Sequence, residues 1–271
     1  MQDIDKSFAG SIPEIYDAYL VPLIFEPYAI DLASRLVANP PAHLLELAAG
    51  TGAVTRRLAL ELPASTEIVA TDLNQPMIDR AGAVGTLRAV TWRQADAQQL
   101  PFPDASFDAV VCQFGVMFFP DKARAFAEAR RVLRPGGKLV FNTWDRIETN
   151  EFTATVNAAL GAMFAENPPD FMARVPHGYF DHDRIRGDLA AGGFDLPASI
   201  EAVDAVSRAA APRIPAVGFC QGTPMRNEIE ARPGAKISAA TDAAEQALAK
   251  KFGSGAISGA IRAHVVTVAR V

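Results

Sequence analysis

The sequence predicts an α/β fold built on a doubly wound, mostly parallel sheet, and three observations carry that prediction. First, Leu44-Leu45-Glu46-Leu47-Ala48-Ala49-Gly50-Thr51-Gly52 starts as an apolar run, as a strand buried on both sheet faces does, and ends in a small-residue turn. Second, Val54, Leu58 and Leu62 follow at i, i+4 and i+8, so the turn opens a helix. Third, strand-like and helical runs alternate five times within about 100 residues, the pattern of parallel strands joined by right-handed crossovers. A strand, a tight glycine turn and a helix N-terminus form a nucleotide-cofactor cradle in such sheets. Small residues at Ala48, Gly50 and Gly52 let the backbone approach a ligand closely.

Composition bounds the answer. The chain has 271 residues, enough for a large core and near the upper end for one domain. Its 49% hydrophobic and 21% charged residues are ordinary for a soluble globular protein. A net charge of −5 with 26 basic residues provides no broad cationic surface, which argues against nucleic acid as partner. Two cysteines, Cys112 and Cys220, make neither a disulfide framework nor a metal cluster, and Cys112 sits in an apolar run where a buried, inert thiol is expected. The four histidines are scattered, with no HExxH and no paired-cysteine motif, so no metal is expected. Met1–Lys6 lacks the layout of a signal peptide, and no apolar run is long enough to span a bilayer. A reducing cytoplasm is the expected compartment.

Before the first strand, Ile12, Ile15, Tyr16, Tyr19 and Leu20 fall at helical spacing, and a second helix from about Phe25 carries Tyr28, Leu32 and Leu36. Pro22 and Pro27 separate or kink them. This pair either packs on the sheet or forms a lid whose Phe8, Tyr16 and Tyr19 close over a ligand. A second strand ends at Asp72, 20 residues beyond Gly52, where βαβ nucleotide folds place a carboxylate on ribose hydroxyls. The competing role for Asp72 is a helix N-cap, but Asn74 is available for that task. A third strand over about 88–94 delivers Asp96-Ala97-Gln98 to the same sheet edge, where Asp96 is either an acceptor for an exocyclic amine or a solvated loop acid.

Phe107–Phe114 reads as a fourth buried strand, bringing Gln113, Phe114, Gly115 and Met117 to its carboxyl end. A helix opened by Pro120-Asp121 stops at Arg134-Pro135-Gly136-Gly137, and Lys138–Trp144 is the fifth strand. Helices are expected over 149–165 and Asp181–Gly192, and strand-like stretches near 199–206 and 261–270 bracket a helical insert of about 50 residues.

Glu46–Gly52, then Asp72, Asp96-Ala97, Phe107-Asp108-Ala109-Val110 and Leu133–Gly137 together resemble the class I S-adenosylmethionine-dependent methyltransferases, and the small-molecule branch of ubiquinone/menaquinone-type C-methyltransferases in particular. The resemblance is strong over about residues 40–145 and weak outside. It implies a Rossmann-like methyltransferase fold: a seven-stranded sheet with its last strand antiparallel, an N-terminal helical lid, and a helical insert before that strand. The implied organisation is one domain over 1–271, with a lid in 1–40, a cofactor-binding core in 41–145 and a substrate-side elaboration with the last two strands in 146–271. It places Glu46 and Ala48, Ala49, Gly50, Thr51 and Gly52 beside the methionine half of the cofactor, with Tyr16 over it. Asp72 goes to the ribose, Leu73 and Met77 flank adenine, Asp96, Ala97 and Gln98 meet its edge, and Gln113 lies near the sulfonium. One departure stands out: the family usually has Gly at Ala48, and Ala fits only if φ is negative there.

The implied activity is methyl transfer from S-adenosyl-L-methionine to a small molecule, leaving S-adenosyl-L-homocysteine. Tyr19, Phe114, Met117 and Trp144 are the candidate acceptor pocket, with Asn142 and the insert's Asn227-Glu228 as further polar candidates. His177, in a loop-like stretch, is the candidate general base, against the commoner case of a structural histidine. Two alternatives stay open. An NAD(P)-dependent oxidoreductase would read Gly50–Thr55 as GxGxxG, with Thr where a small residue belongs and with Glu46 repelling a diphosphate. A non-catalytic S-adenosylmethionine-binding protein would keep the same cradle without turnover.

Overall fold

Leu44 and Leu45 are both fully buried although neighbours on a strand point to opposite faces, so the sheet is covered on both sides. The computed structural model describes Asp5, Phe8 and residues 10–271; the reading of Met1–Lys6 therefore falls, Asp5 apart, outside the described residues. Seven strands form one mixed sheet: β1 (His43–Glu46), β2 (Glu67–Asp72), β3 (Thr91–Gln94), β4 (Phe107–Gln113), β5 (Leu133–Trp144), β6 (Ser199–Ala209) and β7 (Ile257–Ala269). Their order is β3-β2-β1-β4-β5-β7-β6. β1 to β5 pair in parallel, while β7 runs antiparallel to both β5 and β6.

The alternation of side chains sorts the core into two layers. Leu44, Ala109, Val111, Val140 and Val265 face α2 (Glu26–Val37) and α3 (Ala53–Glu61), which contribute Leu32, Leu36, Val54 and Leu58. Leu45, Val110, Leu139, Phe141 and Val266 face the other way, in a cluster that also holds Phe126 and Ala129 of α5 (Lys122–Val132) and Ile185 of a later helix. β2 is followed by α4 (Gln75–Val84). Beyond β5 come α6 (Glu151–Met163), α7 (Phe171–Arg174) and α8 (His182–Ala191). The expected insert between β6 and β7 is α9 (Arg213–Gln221), α10 (Met225–Glu230) and α11 (Ile237–Phe252).

Three local expectations are corrected. The N-terminal helices are one unbroken run: α1 (Ile12–Ile15) passes through a π-helical segment, Tyr16–Phe25, into α2. Pro22 sits inside the π segment and does not end it; the wider turn accommodates a residue that lacks an N–H and crowds the preceding carbonyl. The third strand is shorter than 88–94 and begins at Thr91; ahead of it, the Arg88 guanidinium donates to the carbonyls of Ala59 and Thr66. Finally, β5 begins at Leu133. The register against β4 jumps from Phe107↔Leu133 to Ala109↔Lys138, so Arg134–Gly137 is a bulge within the strand. Gly136 supplies a φ of +82° there, and the backbone pairs Gly136 N–H with Arg270 O and Arg270 N–H with Gly137 O.

The chain winds outward from β1 through β2 to β3, then returns to β4 on the other side of β1. Strand order reverses between β1 and β4, and a crevice opens beyond their carboxyl ends. Among the described residues, no helix is long and apolar enough to cross a membrane and no three metal-ligating side chains cluster.

Candidate functional site

At that reversal lies a cavity walled by the loops that follow β1, β2, β3 and β4. The turn after β1 makes one wall. Ala49 N–H donates to Thr71 O and Gly52 N–H to Ala49 O, which folds the chain tightly over the strand end. Gly50 takes a φ of +56° and turns its N–H onto Asp72 Oδ2 at 2.9 Å. Gly52, at +85°, lies so close to Trp92 that a Cβ would fall 2.9 Å from its ring. Ala48 has a φ of +51°, against the expectation that alanine here needs a negative value. The left-handed conformation costs an L-residue roughly 1–2 kcal/mol. Phe114, after β4, is held at +50° as well, its N–H donating to Asn142 Oδ1 at 2.8 Å. Strained backbone therefore flanks the crevice on both strand ends, which is where strain concentrates when it serves a site.

Asp72 is 7% exposed and lines the cavity. Besides Gly50, its carboxylate accepts from Asn74 N–H at 2.8 Å through Oδ1, so one side chain fixes both loops of the crevice. Burial raises its pKa, while those hydrogen bonds pull it back. Tyr16 lines the same wall, stacked on Phe25 at 4.9 Å; burial raises its hydroxyl pKa, and the charges of Asp72 and Asp17 add to the rise. Asp17 accepts from Arg56 and Arg80, tying the π segment to α3 and α4 beside the cavity. Gln113 donates to Phe25 O, while its buried Oε1 has no partner among the described residues.

Of the expected cofactor residues, Tyr16, Ala48, Gly50, Asp72, Leu73, Met77, Asp96, Ala97, Gln98 and Gln113 line this cavity. Glu46, Ala49, Thr51 and Gly52 do not. Glu46 is 1% exposed and accepts from the Thr55 hydroxyl at 2.6 Å, because the strand's pleat turns it under the turn. Burial pushes its carboxyl up to about 8, opposed by the Thr55 bond. The folded state thus holds this proton more tightly than the unfolded chain. Its stabilisation is complete below the ordinary value of 4.5 and is lost as pH rises through about 8. The urea midpoint of the wild type should fall between about pH 6 and about pH 9, and Glu46→Gln should flatten that profile. An equally steep decline in the variant would clear Glu46 of the effect.

A second cavity, of about 580 Å³, shares Phe8, Tyr16, Phe114 and Phe118 with the first. Trp144 lines it, stacked on Phe114 at 3.8 Å, as does His177. Phe114, Trp144 and His177, singled out in the sequence, thus lie on the wall of one cavity. Tyr19 and Met117 are not on that wall. Tyr19 packs toward Gly218 of α9, and Met117 borders a separate cleft with Lys122, Arg174 and Tyr179. Asn142 is occupied with Phe114, and Glu228 holds the Arg174 guanidinium at 2.7 Å, so neither faces the cavity. Cys112 is buried, with its thiol pushed up to about 12, as expected of an inert cysteine. Sequence reasoning missed Asn150, Thr153, Phe171, Met172, Phe219 and Thr223, which complete the second cavity from α6, α7, α9 and adjoining loops. Gly115, which the sequence brings to the carboxyl end of the fourth strand, lines the first cavity as a gap beside Ala48.

Residues 45–141 match the model of a methyltransferase domain. The matched stretch, which carries the strands that frame the crevice, is thus similar to methyltransferase domains. The chain is 37% identical over 134 residues to demethylmenaquinone methyltransferase of Deinococcus radiodurans, covering 49% of this chain and 52% of that protein. It is 28% identical over 184 residues to the ubiquinone/menaquinone biosynthesis C-methyltransferase of Saccharophagus degradans, covering 63% and 73%. The chain spans about half the length of the first of these relatives. In fold, it resembles phosphoethanolamine N-methyltransferase 2 of Haemonchus contortus, solved with S-adenosyl-L-methionine, at a TM-score of 0.60 and 15% identity, over 99% of this chain and 59% of that one.

Proposed function

We propose that this chain binds S-adenosyl-L-methionine in the first cavity and passes its methyl group to an uncharged small molecule in the second. One observation carries the reading: among the described residues, the first cavity is lined by two carboxylates, Asp72 and Asp96, and by no lysine or arginine. That lining favours a cationic ligand and opposes a diphosphate. Gly52 and the start of α3, where a dinucleotide would rest its phosphates, do not reach the cavity wall. The charge argument that the sequence placed on Glu46 thus passes to Asp72 and Asp96.

The residues present fit the group. Asp72 has lone pairs left for a vicinal diol after serving Gly50 and Asn74, and Leu73 and Met77 offer apolar flanks to a base. Asp96, Ala97 and Gln98 form a polar edge beside them, and the unpartnered Oε1 of Gln113 is an acceptor on the cavity wall, suited to a cation. When bound, S-adenosylmethionine supplies an activated methyl on a sulfonium, open to in-line displacement. The protein's share is placement and exclusion of water. Holding two reactants in a near-attack pose accounts for up to roughly 7–11 kcal/mol. Phe8, Tyr16, Phe114 and Phe118, common to both cavities, partition donor from acceptor. In this reading the N-terminal run over 1–40 is a lid clamped through Asp17, 41–145 is the cofactor core, and 146–271 shapes the acceptor side of a single domain. The setting is cytoplasmic, with no nucleic-acid partner.

The test is transfer of tritiated methyl to a panel of phenols, quinols, amines and acids, paired with calorimetry on S-adenosylhomocysteine and NAD(H). Labelled product and homocysteine-nucleoside binding are expected. Binding of NAD(H) alone would make the protein an oxidoreductase, and S-adenosylhomocysteine binding without any labelled product would leave it a binder.

A further inference from the structure

Resting on that reading of the second cavity, we propose that His177 is the positioning residue for the acceptor, its Nε2 accepting a hydrogen bond from an O–H or N–H on an uncharged, ring-sized molecule. The ring is 4% exposed, lines the cavity and lies 5.9 Å from Trp144, centroid to centroid. Its Nδ1 is 2.8 Å from the backbone oxygen of Asp145. A carbonyl oxygen only accepts, so Nδ1 carries the ring proton and Nε2 keeps its lone pair. Among the described residues, Nε2 has no partner. It is not one of the sealed-off polar atoms, so a donor on a ligand in the cavity can reach its lone pair.

The rest of the wall decides what that ligand is. Among the described residues, twelve of those lining it are apolar or aromatic, the polar ones are Asn150, Thr153, His177 and Thr223, and no Asp, Glu, Lys or Arg is among them. A carboxylate, phosphate or ammonium on the acceptor would lose its hydration there with no counter-charge. Asn150 and Thr223 are already engaged, their side chains donating to Arg262 O and Phe219 O. The Thr153 hydroxyl and His177 Nε2 are left, and of the two only Nε2 is an acceptor with no proton of its own, suited to read a donor.

The same geometry makes His177 a poor general base. Burial holds its pKa down to about 4, against the pull of the Asp145 carbonyl and the charges of Asp145 and Glu148. Asp145 is itself committed to His264 at 3.2 Å and to Arg146 N–H. Across the cavity stands the Tyr16 hydroxyl, whose pKa burial raises. His177 is thus neutral from about pH 6 to about pH 8 and orients the acceptor without removing its proton.

Calorimetry in saturating S-adenosylhomocysteine tests this with 4-propylphenol, propylbenzene and 4-propylbenzoate. The wild type should bind the phenol about 5- to 10-fold more tightly than propylbenzene, one neutral hydrogen bond's worth. That preference should be flat from about pH 6 to about pH 8, and 4-propylbenzoate should bind most weakly. His177→Asn keeps an amide donor for Asp145 O and loses Nε2, so it should retain propylbenzene affinity while the phenol preference disappears. In the wild type, the 15N resonance of His177 Nε2 should move on adding the phenol and not on adding propylbenzene, a readout that survives any folding defect in the variant. An unchanged preference in the variant, an unmoved resonance, or tightest binding of the benzoate would overturn the assignment. If S-adenosylhomocysteine does not bind, the methyl-transfer reading fails with it; if it binds and the phenol is not preferred, the assignment of His177 alone fails.

Discussion

Asp72→Ala should weaken S-adenosylhomocysteine binding about 100-fold, equivalent to about 3 kcal/mol, whereas Asp96→Ala should cost less than about 5-fold. The contrast follows from burial and partners. Asp72 is nearly buried, and its two oxygens fix Gly50 and Asn74 on opposite loops of the crevice. A ligand hydroxyl arriving there meets a carboxylate that is already immobile and partly desolvated, where charge-assisted hydrogen bonds are strongest. Asp96 is exposed and uses Oδ1 to accept from Gln98 N–H, so solvent competes for what remains. Removing Asp72 also frees two backbone donors, so Asp72→Asn separates the effects. It keeps one oxygen but turns an amide N–H2 toward one of those donors, and should lose nearly as much affinity as alanine. Circular dichroism on both variants shows whether the fold survives. Unchanged affinity in a folded Asp72→Ala would take Asp72 off the ligand and with it the charge argument for a cationic cofactor.

What the sequence disclosed and what it withheld divide along physical lines. Phe107–Gln113 announces itself as a central strand because a strand covered on both faces must be apolar at successive positions, and Asp72 is found by counting because a βαβ unit has a nearly fixed length. Such features are local. The face to which Glu46 turns is not local: it is set by pairing with Ala70 and Val111 and by the pleat, so a strand-end acid that looked ligand-facing proved to be sealed under the turn. Tyr16 and Tyr19 stand three apart, and on an α-helix they would share a face. The π segment has a wider, i→i+5 turn that swings them apart, so Tyr16 lines both cavities and Tyr19 packs toward α9. The second cavity was the least legible part, since Phe8, Asn150, His177 and Phe219 meet only once the insert has folded against the N-terminal run. His177 was visible as a titratable loop residue, but its tautomer and burial were not, and those convert a candidate base into an acceptor of hydrogen bonds.

The crevice should also reveal itself in stability. Gly115→Ala is expected to destabilise the protein by about 3 kcal/mol, the upper end for overpacking, even though its φ of −99° suits any residue. The obstacle is space. A Cβ on Gly115 would overlap the Ala48 Cβ and lie 2.7 Å from Cys112 Sγ, and both neighbours are held by backbone that has little room to shift. Ala48→Gly alone should be nearly silent: it relieves roughly 1–2 kcal/mol of left-handed strain and gives back about 0.5–1 kcal/mol through the looser unfolded chain. Combined, the two should not add. Deleting the Ala48 methyl makes room on one side of the new Cβ and leaves the Cys112 contact on the other, so the double variant should recover about half of the loss. Urea unfolding of all four proteins measures the coupling, which should favour the pair by at least about 1 kcal/mol. Strict additivity would show that Ala48 and Gly115 do not compete for the same space, and that the left-handed alanine of this turn is not accommodated by the glycine across the crevice.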